Sequence, residues 1–385
     1  MLIDRIEAAT PKDRDRGVDA LRAFAILGVV LGHWLVTALV VDGGAVHGTS
    51  SPLRHLPWLA PATWLLQTLA VFFFVGGLVA GRSYRGSDGP WVRFRLARLF
   101  RPVAVLLLVW AVACAVLLAA GLDTGTVRTL VKLVLSPLWF LLVFAALTAA
   151  TPLAMRLHPG WPLLAVALVD AGRFVLDLPG WTGWLNLAAG WLVPYCLGAR
   201  RPVASPWLLL IGGATATAVL VRWGGYPASM VGVPGEGVSN LNPPTLAAVT
   251  FGVAQVGLAL LLLDPLRRLL RRPAVWAAVA LVNLSAMTVF LWHQTAMLTT
   301  TGAALLVAGH PLPGLHTAPV TAGWLLPRLA WLPVFAAALL LCWALFHRFE
   351  RPAGPRQPAG PVRPVVALSP APPPPGRPGS AGTAV

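Results

Sequence analysis

The sequence predicts an all-α polytopic membrane protein with about ten transmembrane helices and both termini in the cytoplasm. Three observations lead there. Of 385 residues, 57% are hydrophobic and only 11% are charged, where a soluble domain carries about 25% charged residues. Mean hydropathy is +0.75, and apolar runs of roughly 20 residues, the length that crosses a bilayer, recur along the chain. The third observation is that the positive charges sort by side, as they do in membrane proteins.

The expected spans follow in order. The first, 22–41, leaves the mixed charges of RDRGVDALR and carries His33 inside its apolar run; the second, 60–81, ends in FFFVGGLVAG. The third, 102–121, follows a run of arginines, and the fourth, 135–155, contains PLWFLLVFAALTAATPL. The fifth and sixth, 161–177 and 181–198, are short and joined by Leu178-Pro179-Gly180. The seventh and eighth, 205–222 and 243–263, flank SMVGVPGEGVSNLNPPTL, and 275–304 and 322–346 complete the set. With the N-terminus inside, most of the 29 Lys and Arg fall in cytoplasmic segments. Only Arg54, Arg128, Lys132, Arg222 and Arg328 fall outside, and Arg173 lies within a span. That asymmetry places both ends inside and calls for an even number of spans.

The domain organisation follows: a cytoplasmic lead-in over 1–21, a transmembrane domain over 22–352, and a Pro- and Gly-rich tail over 353–385 that composition predicts to be disordered. A cleaved signal peptide is not expected, because the leading charges are mixed in sign. The net charge of +16 would suggest nucleic acid in a soluble protein; here it reads as topology, with no nucleic-acid partner and membrane lipids as the surroundings. Cys114, Cys196 and Cys342 lie in apolar runs and read as buried residues. His47, His55, His158, His310, His316 and His347 show no ligand spacing, so no metal is expected. No internal repeat is apparent, which counts against a transporter built from duplicated halves.

Ionisable groups within spans are functional candidates by default. Arg22 and His33 are eleven residues apart, which returns a helix to within about 20° of the same face, some 16 Å further along. Asp19 precedes Arg22 by three and is positioned to pair with it. Asp170 and Arg173, at i and i+3, are expected to neutralise each other.

These residues also carry a resemblance. The Arg-x10-His spacing in RGVDALRAFAILGVVLGHW resembles the first helix of the membrane-bound acyltransferase 3 family, the bacterial O-acyltransferases. FFFVGGLVAG resembles its second-helix segment, with Gly76 at the usual serine, and RFRLARLFRP resembles its Arg-x-x-Arg motif, matched best by Arg95 and Arg98. PLWFLLVF, LSAMTVFLWHQTAM and HRFERP resemble later segments in the expected order, with Phe290 where a tyrosine is usual.

The resemblance implies a cytoplasmic acyl-CoA, commonly acetyl-CoA, used as co-substrate with no permanently bound cofactor. It further implies transfer to a hydroxyl of a glycan, glycolipid or small molecule at the outer face of a bacterial plasma membrane. The donor's phosphates call for cations, and Arg95, Arg98 and Arg101 supply them beside Arg22. A hydroxyl needs a general base to attack a thioester, and histidine, with an ordinary pKa near 6.5, is best poised for it; His33 is the expected base. Direct transfer is favoured, since no serine or cysteine beside His33 stands out as a nucleophile. His293 falls at a similar depth and, with Trp139, Glu236 and Asn240, is an expected contact for the acceptor. An exporter of a small metabolite or glycolipid is the alternative, and consumption of acyl-CoA separates the two.

Overall fold

The computed structural model describes residues 2–42, 45–84, 86, 88–200 and 205–350. The expected tail at 353–385 lies outside the described residues. The lead-in contains one short helix, Leu2–Ala8, whose Glu7 pairs with Arg16.

Helix α1 (Arg16–Val36) begins six residues before the expected first span because Asp15 caps it, its side chain accepting from the Val18 N–H. Burial pushes the Asp15 carboxyl up, but hydrogen bonds from Arg267 and Arg82 outweigh that push and hold it below the usual carboxylate range. One carboxylate thus ties together the start of α1, the end of α2 (Leu69–Ser83) and the end of a later helix. At its other end α1 stops at Val36, short of the expected 41. The strands β1 (Ala38–Asp42) and β2 (Ala45–Ser50) form an antiparallel hairpin there, with a register shift between Val40 and Val41. The all-α expectation is corrected to this extent: β-branched Val40 and Val41 beside an Asp-Gly sequence favour a hairpin over more helix.

Helix α3 (Asp88–Ala119) carries the arginines; α4 (Thr124–Leu135) forms in what was expected to be an outward connection, and after a break at Ser136 and Pro137 the expected fourth span is covered by α5 (Leu138–Ala149) and the short helix Thr151–Ala154. Next come α6 (Gly160–Val175), α7 (Asn186–Ala199), α8 (Pro206–Trp223) and α9 (Leu246–Leu269). The expected ninth span is two helices, α10 (Pro273–Leu284) and α11 (Ala286–Ala308), bent by 72° at Ser285, and α12 (Leu325–Phe346) follows.

Seven described segments are helical, long and apolar enough to cross a membrane, and the bent α10–α11 pair makes an eighth. The two expected spans left over are α6 and α7, of 16 and 14 residues. At about 1.5 Å per residue they reach roughly 24 and 21 Å, short of a hydrocarbon core of about 30 Å. The chain is therefore a multi-pass membrane protein with seven or eight spans by length and composition.

Helices α2 and α7 pack almost backbone to backbone. A Cβ on Gly77 would stand 2.1 Å from the Tyr195 carbonyl oxygen, and one on Gly198 would stand 2.0 Å from that of Phe74. Small residues permit this approach, which drives helix association where lipid supplies no hydrophobic contrast. Beside this seam Phe72, Phe73, Phe140 and Phe144 pack edge to face, with Trp191 stacked on Phe73. Two expectations about buried groups are revised. Asp170 is held first by hydrogen bonds from Asn186, Tyr226 and the Leu246 N–H, while Arg173, whose guanidinium lies over the Phe174 ring, adds only a weaker Coulombic attraction. Cys196 is buried as expected, while Cys114 and Cys342 are half-buried.

Candidate functional site

Helix α1 supplies a residue to each of two cavities. Near its start, Arg22 lines a cavity of 290 Å³ together with Arg95 and Arg98 of α3, Asn283, and Glu350. Arg22 donates weakly to Asp19 at 3.5 Å, while Arg14 takes the closer contact with the same carboxylate at 2.6 Å. The expected Asp19–Arg22 pair is present but secondary, so Arg22 stays directed at the cavity. Arg95 donates to Ser83 Oγ at 2.6 Å and lies over the Trp91 ring, and Arg98 stands over Phe94. Arg101, the third expected phosphate ligand, is exposed and is not part of the lining. Six residues past Arg95, the helix has turned Arg101 by about 120° from Arg95 and carried it out of the lining. Three guanidiniums and one carboxylate make this a cationic chamber suited to phosphate.

The carboxylate is already committed. Glu350 Oε1 accepts from the Met287 N–H at 3.0 Å, and Oε2 accepts from the Thr288 N–H and hydroxyl at 3.1 and 2.8 Å. These are free donors at the start of α11, created by the break at Ser285. Glu350 therefore holds the bend that aims α11 back across α1.

Eleven residues along α1, His33 lines a second cavity, of 210 Å³, with Trp139, Phe140, Phe290, Gln67, Thr63 and Thr68. Phe140 and Phe290 line both cavities, and their ring centroids are 5.5 Å apart. The two chambers share this aromatic wall.

Behind His33 lies a set of contacts between α1 and α11. The His33 and His293 rings are 5.2 Å apart, and Gln294 reaches His33 Nδ1 at 3.2 Å. Trp34 Nε1 donates to the His293 carbonyl at 3.0 Å. Arg328, 1% exposed, donates to the carbonyls of Trp34, Thr37 and Gly314, satisfying the end of α1 from within the protein. His293, expected to touch the acceptor, is fully buried and lines neither cavity. Its Nδ1–H donates to the Phe290 carbonyl at 2.6 Å, since a carbonyl can only accept, and its ring packs behind that of His33.

The outward loop also differs from expectation. Asn240 is fully buried and spends its side chain on the loop itself, donating to the carbonyls of Pro227 and Ser229 and accepting from Thr245 Oγ1. Glu236 is exposed on a separate cavity with Leu53, Pro57 and Val233. From this loop it is Val231, Gly232 and Leu241 that reach the His33 cavity. Trp139 lines the cavity as an apolar wall. At Gly76, where a serine is usual in the resembling family, a Cβ would stand 2.4 Å from Phe144 Cε2, so the ring occupies the space a side chain would need.

Reading the residues one at a time missed Gln67, Gln294 and Glu350. Gln294 stands in the quoted LWHQTAM, and a polar residue beside a membrane histidine was the available signal.

A family model described as an acyltransferase domain matches residues 15–347. No curated protein and no solved structure matches.

Proposed function

The chain belongs to the acyltransferase 3 family and is an acyltransferase acting on groups other than aminoacyl groups, and on that premise we propose that it moves an acyl group, acetyl in the simplest case, from acyl-CoA to an acceptor hydroxyl. The basic chamber is the donor entrance and faces the cytoplasm of a bacterial plasma membrane. The His33 chamber takes the acceptor, a carbohydrate, glycolipid or small hydroxyl compound, from the other side. The observation that carries this reading is that one helix places Arg22 and His33 on two chambers separated by a single aromatic wall. Family membership leaves the exporter alternative without support.

In the proposed reaction Arg22, Arg95 and Arg98 hold the donor's phosphates, and the thioester passes the Phe140–Phe290 wall. His33 Nε2 takes the proton of the acceptor hydroxyl as its oxygen bonds to the thioester carbon. The tetrahedral adduct then breaks its C–S bond, and the departing thiolate takes the proton from His33, leaving ester and free thiol. For Nε2 to accept, Nδ1 must carry hydrogen. The Gln294 amide can present either end to Nδ1, and with its Nε2 there the Oε1 is buried without a hydrogen-bond partner among the described residues. Turned over, Oε1 accepts Nδ1–H and frees the Nε2 lone pair.

Two measurements test this. Glycan and lipid mass spectrometry of cells with and without the gene is expected to show the loss of one acyl group from one acceptor. A folded, inserted H33A protein is expected to lose about 100-fold or more of the transfer rate; wild-type transfer by that variant would end the assignment of the base.

A further inference from the structure

Gln67 is a buried amide with nothing to bind. It sits in the short connection between the helix Ala62–Leu66 and α2, 4% exposed, and lines the His33 chamber. Among the described residues neither its Oε1 nor its Nε2 has a hydrogen-bond partner. Its position is fixed by its backbone instead: the N–H donates to the Thr63 carbonyl at 2.9 Å, and the carbonyl accepts from Gln255 Nε2 at 2.7 Å. Buried polar groups are nearly always paired, because an unpaired one forfeits its hydration without return.

The two threonines of the chamber are engaged. Thr68 Oγ1 donates to the Ala25 carbonyl at 2.7 Å. Thr63 Oγ1 donates to the Ala60 carbonyl and accepts from the Met230 N–H. The rest of the lining is largely apolar, with Val29, Leu66, Leu69 and Trp139 among it. Apart from the nitrogen of His33 that does not meet Gln294 and the indole N–H of Trp139, which can only donate, Gln67 is the uncommitted hydrogen-bonding side chain among these lining residues, and it alone of the three is an amide open at both ends.

We infer that Gln67 recognises the acceptor by binding a second hydroxyl adjacent to the one that is acylated. The inference rests on the acyl-transfer reading of this chamber. Its chemistry comes from both ends of the amide being open. A thioester carbonyl, or the oxyanion formed from it, has no hydrogen to give and would pair only with Nε2. A hydroxyl both gives and accepts, and so satisfies Oε1 or Nε2. A vicinal diol presents one hydroxyl to Gln67 and the other to His33. At 210 Å³ the chamber is below the about 300–1,000 Å³ of sites that enclose drug-sized ligands. It admits one ring or the end of a chain, with apolar edges of that ring against Val29, Leu69 and Trp139.

The test uses the full chain in lipid nanodiscs and three probes built on one ring: cis-cyclohexane-1,2-diol, cyclohexanol and cis-1,2-dimethoxycyclohexane. Ligand-observed NMR titration, with empty nanodiscs subtracted, gives their relative affinities. The diol is expected to bind at least about tenfold more tightly than either analogue, because cyclohexanol has a single hydroxyl for Gln67 and His33 together and the dimethoxy compound has no hydrogen to give to either. Q67M, nearly the same shape without the amide, is expected to bind the diol and cyclohexanol within about twofold of each other. Equal binding by the native chain, no specific binding of the diol, or a diol preference retained by Q67M would each overturn the inference. Should Q67M fail to insert, the three probes on the native chain decide alone. Release of free thiol from acetyl-CoA with the diol is followed in parallel. Diol preference without release keeps Gln67 as the reader and overturns the proposed donor chemistry, while release without diol preference does the reverse.

Discussion

At the scale of single residues, the site separates groups that face a chamber from groups that hold them in place. Arg22, Arg95, Arg98, His33 and Gln67 face space, whereas Gln294, His293, Trp34 and Arg328 secure the helix end that carries His33. The division predicts different kinetic signatures. Q294A is expected to lower kcat by about 100-fold with KM for acetyl-CoA unchanged, since it removes the partner of Nδ1 and not a substrate contact. Q294E, which keeps an acceptor oxygen, should restore most of the rate. A loss of KM and kcat together in both variants would mark Gln294 as packing only. Steady-state kinetics also separates the arginines: R98Q should raise KM for acetyl-CoA by about tenfold, or about 1.4 kcal/mol of phosphate contact, while R101Q, off the chamber wall, should leave it within about twofold. His33 was legible in the sequence because an ionisable group inside an apolar run is expensive and therefore conspicuous, Arg22 because it shares a helix face with His33, and Arg95 and Arg98 through their resemblance to an Arg-x-x-Arg motif. Gln67 and Gln294 were not: a neutral amide costs less to place there, and its meaning depends on which partners the fold brings or withholds.

At the scale of elements, the bend between α10 and α11 decides where the second histidine goes. Hydropathy reads 275–304 as one continuous span, because neither Ser285 nor Ala286 is a helix breaker by composition. The break appears only when Glu350, from beyond α12, takes up the amide hydrogens freed at Met287 and Thr288. No local window connects residues so far apart. Removing that carboxylate leaves buried donors unpaired, at about 1–3 kcal/mol each. E350A is accordingly expected to lower thermal stability in detergent and to reduce transfer, while E350Q, which keeps one good acceptor, should retain stability better than E350A. Equal melting temperatures for E350A and the native chain would show that the bend does not depend on Glu350. The hairpin at the end of α1 is a contrasting case. Its signal was present in the alternation and turn residues of ALVVDGGAV, but valines satisfy a hydropathy window and a strand pattern equally well.

At the scale of the whole molecule, charge is gathered at one end. Asp15 fastens Arg82 and Arg267 to the start of α1, next to the chamber that holds Arg22, Arg95 and Arg98. Because this carboxyl titrates below its ordinary range in the fold, its stabilising effect is complete above about pH 4, the value for a free side chain. It is lost as pH falls through the lower, folded value. Melting temperatures of D15N should therefore lie below those of the native chain at neutral pH and converge with them in acid; a constant gap would show that the ion cluster does not govern stability. Segregated arginines were the plainest message in the sequence, and they support the proposed cytoplasmic placement of this end. Single cysteines introduced at Arg93 and at Glu236 in a chain lacking its native cysteines are expected to react with a membrane-impermeant maleimide from opposite faces of sealed vesicles. Labelling of both from one face would refute that topology. The number of spans was less legible, since α6 and α7 have the hydropathy of crossing helices without their length.

The wall of Phe140 and Phe290 bears on the cell as well as on the reaction. Under the proposed function, a protein that admits a charged nucleotide from one face and a polar acceptor from the other is, in outline, a hole through an insulator. Two rings whose centroids are 5.5 Å apart, set in a cluster of further aromatic side chains, close that hole to protons and ions. The membrane potential and the proton gradient can then stand across this protein between turnovers, and only the thin arm of a thioester need ever cross the seal.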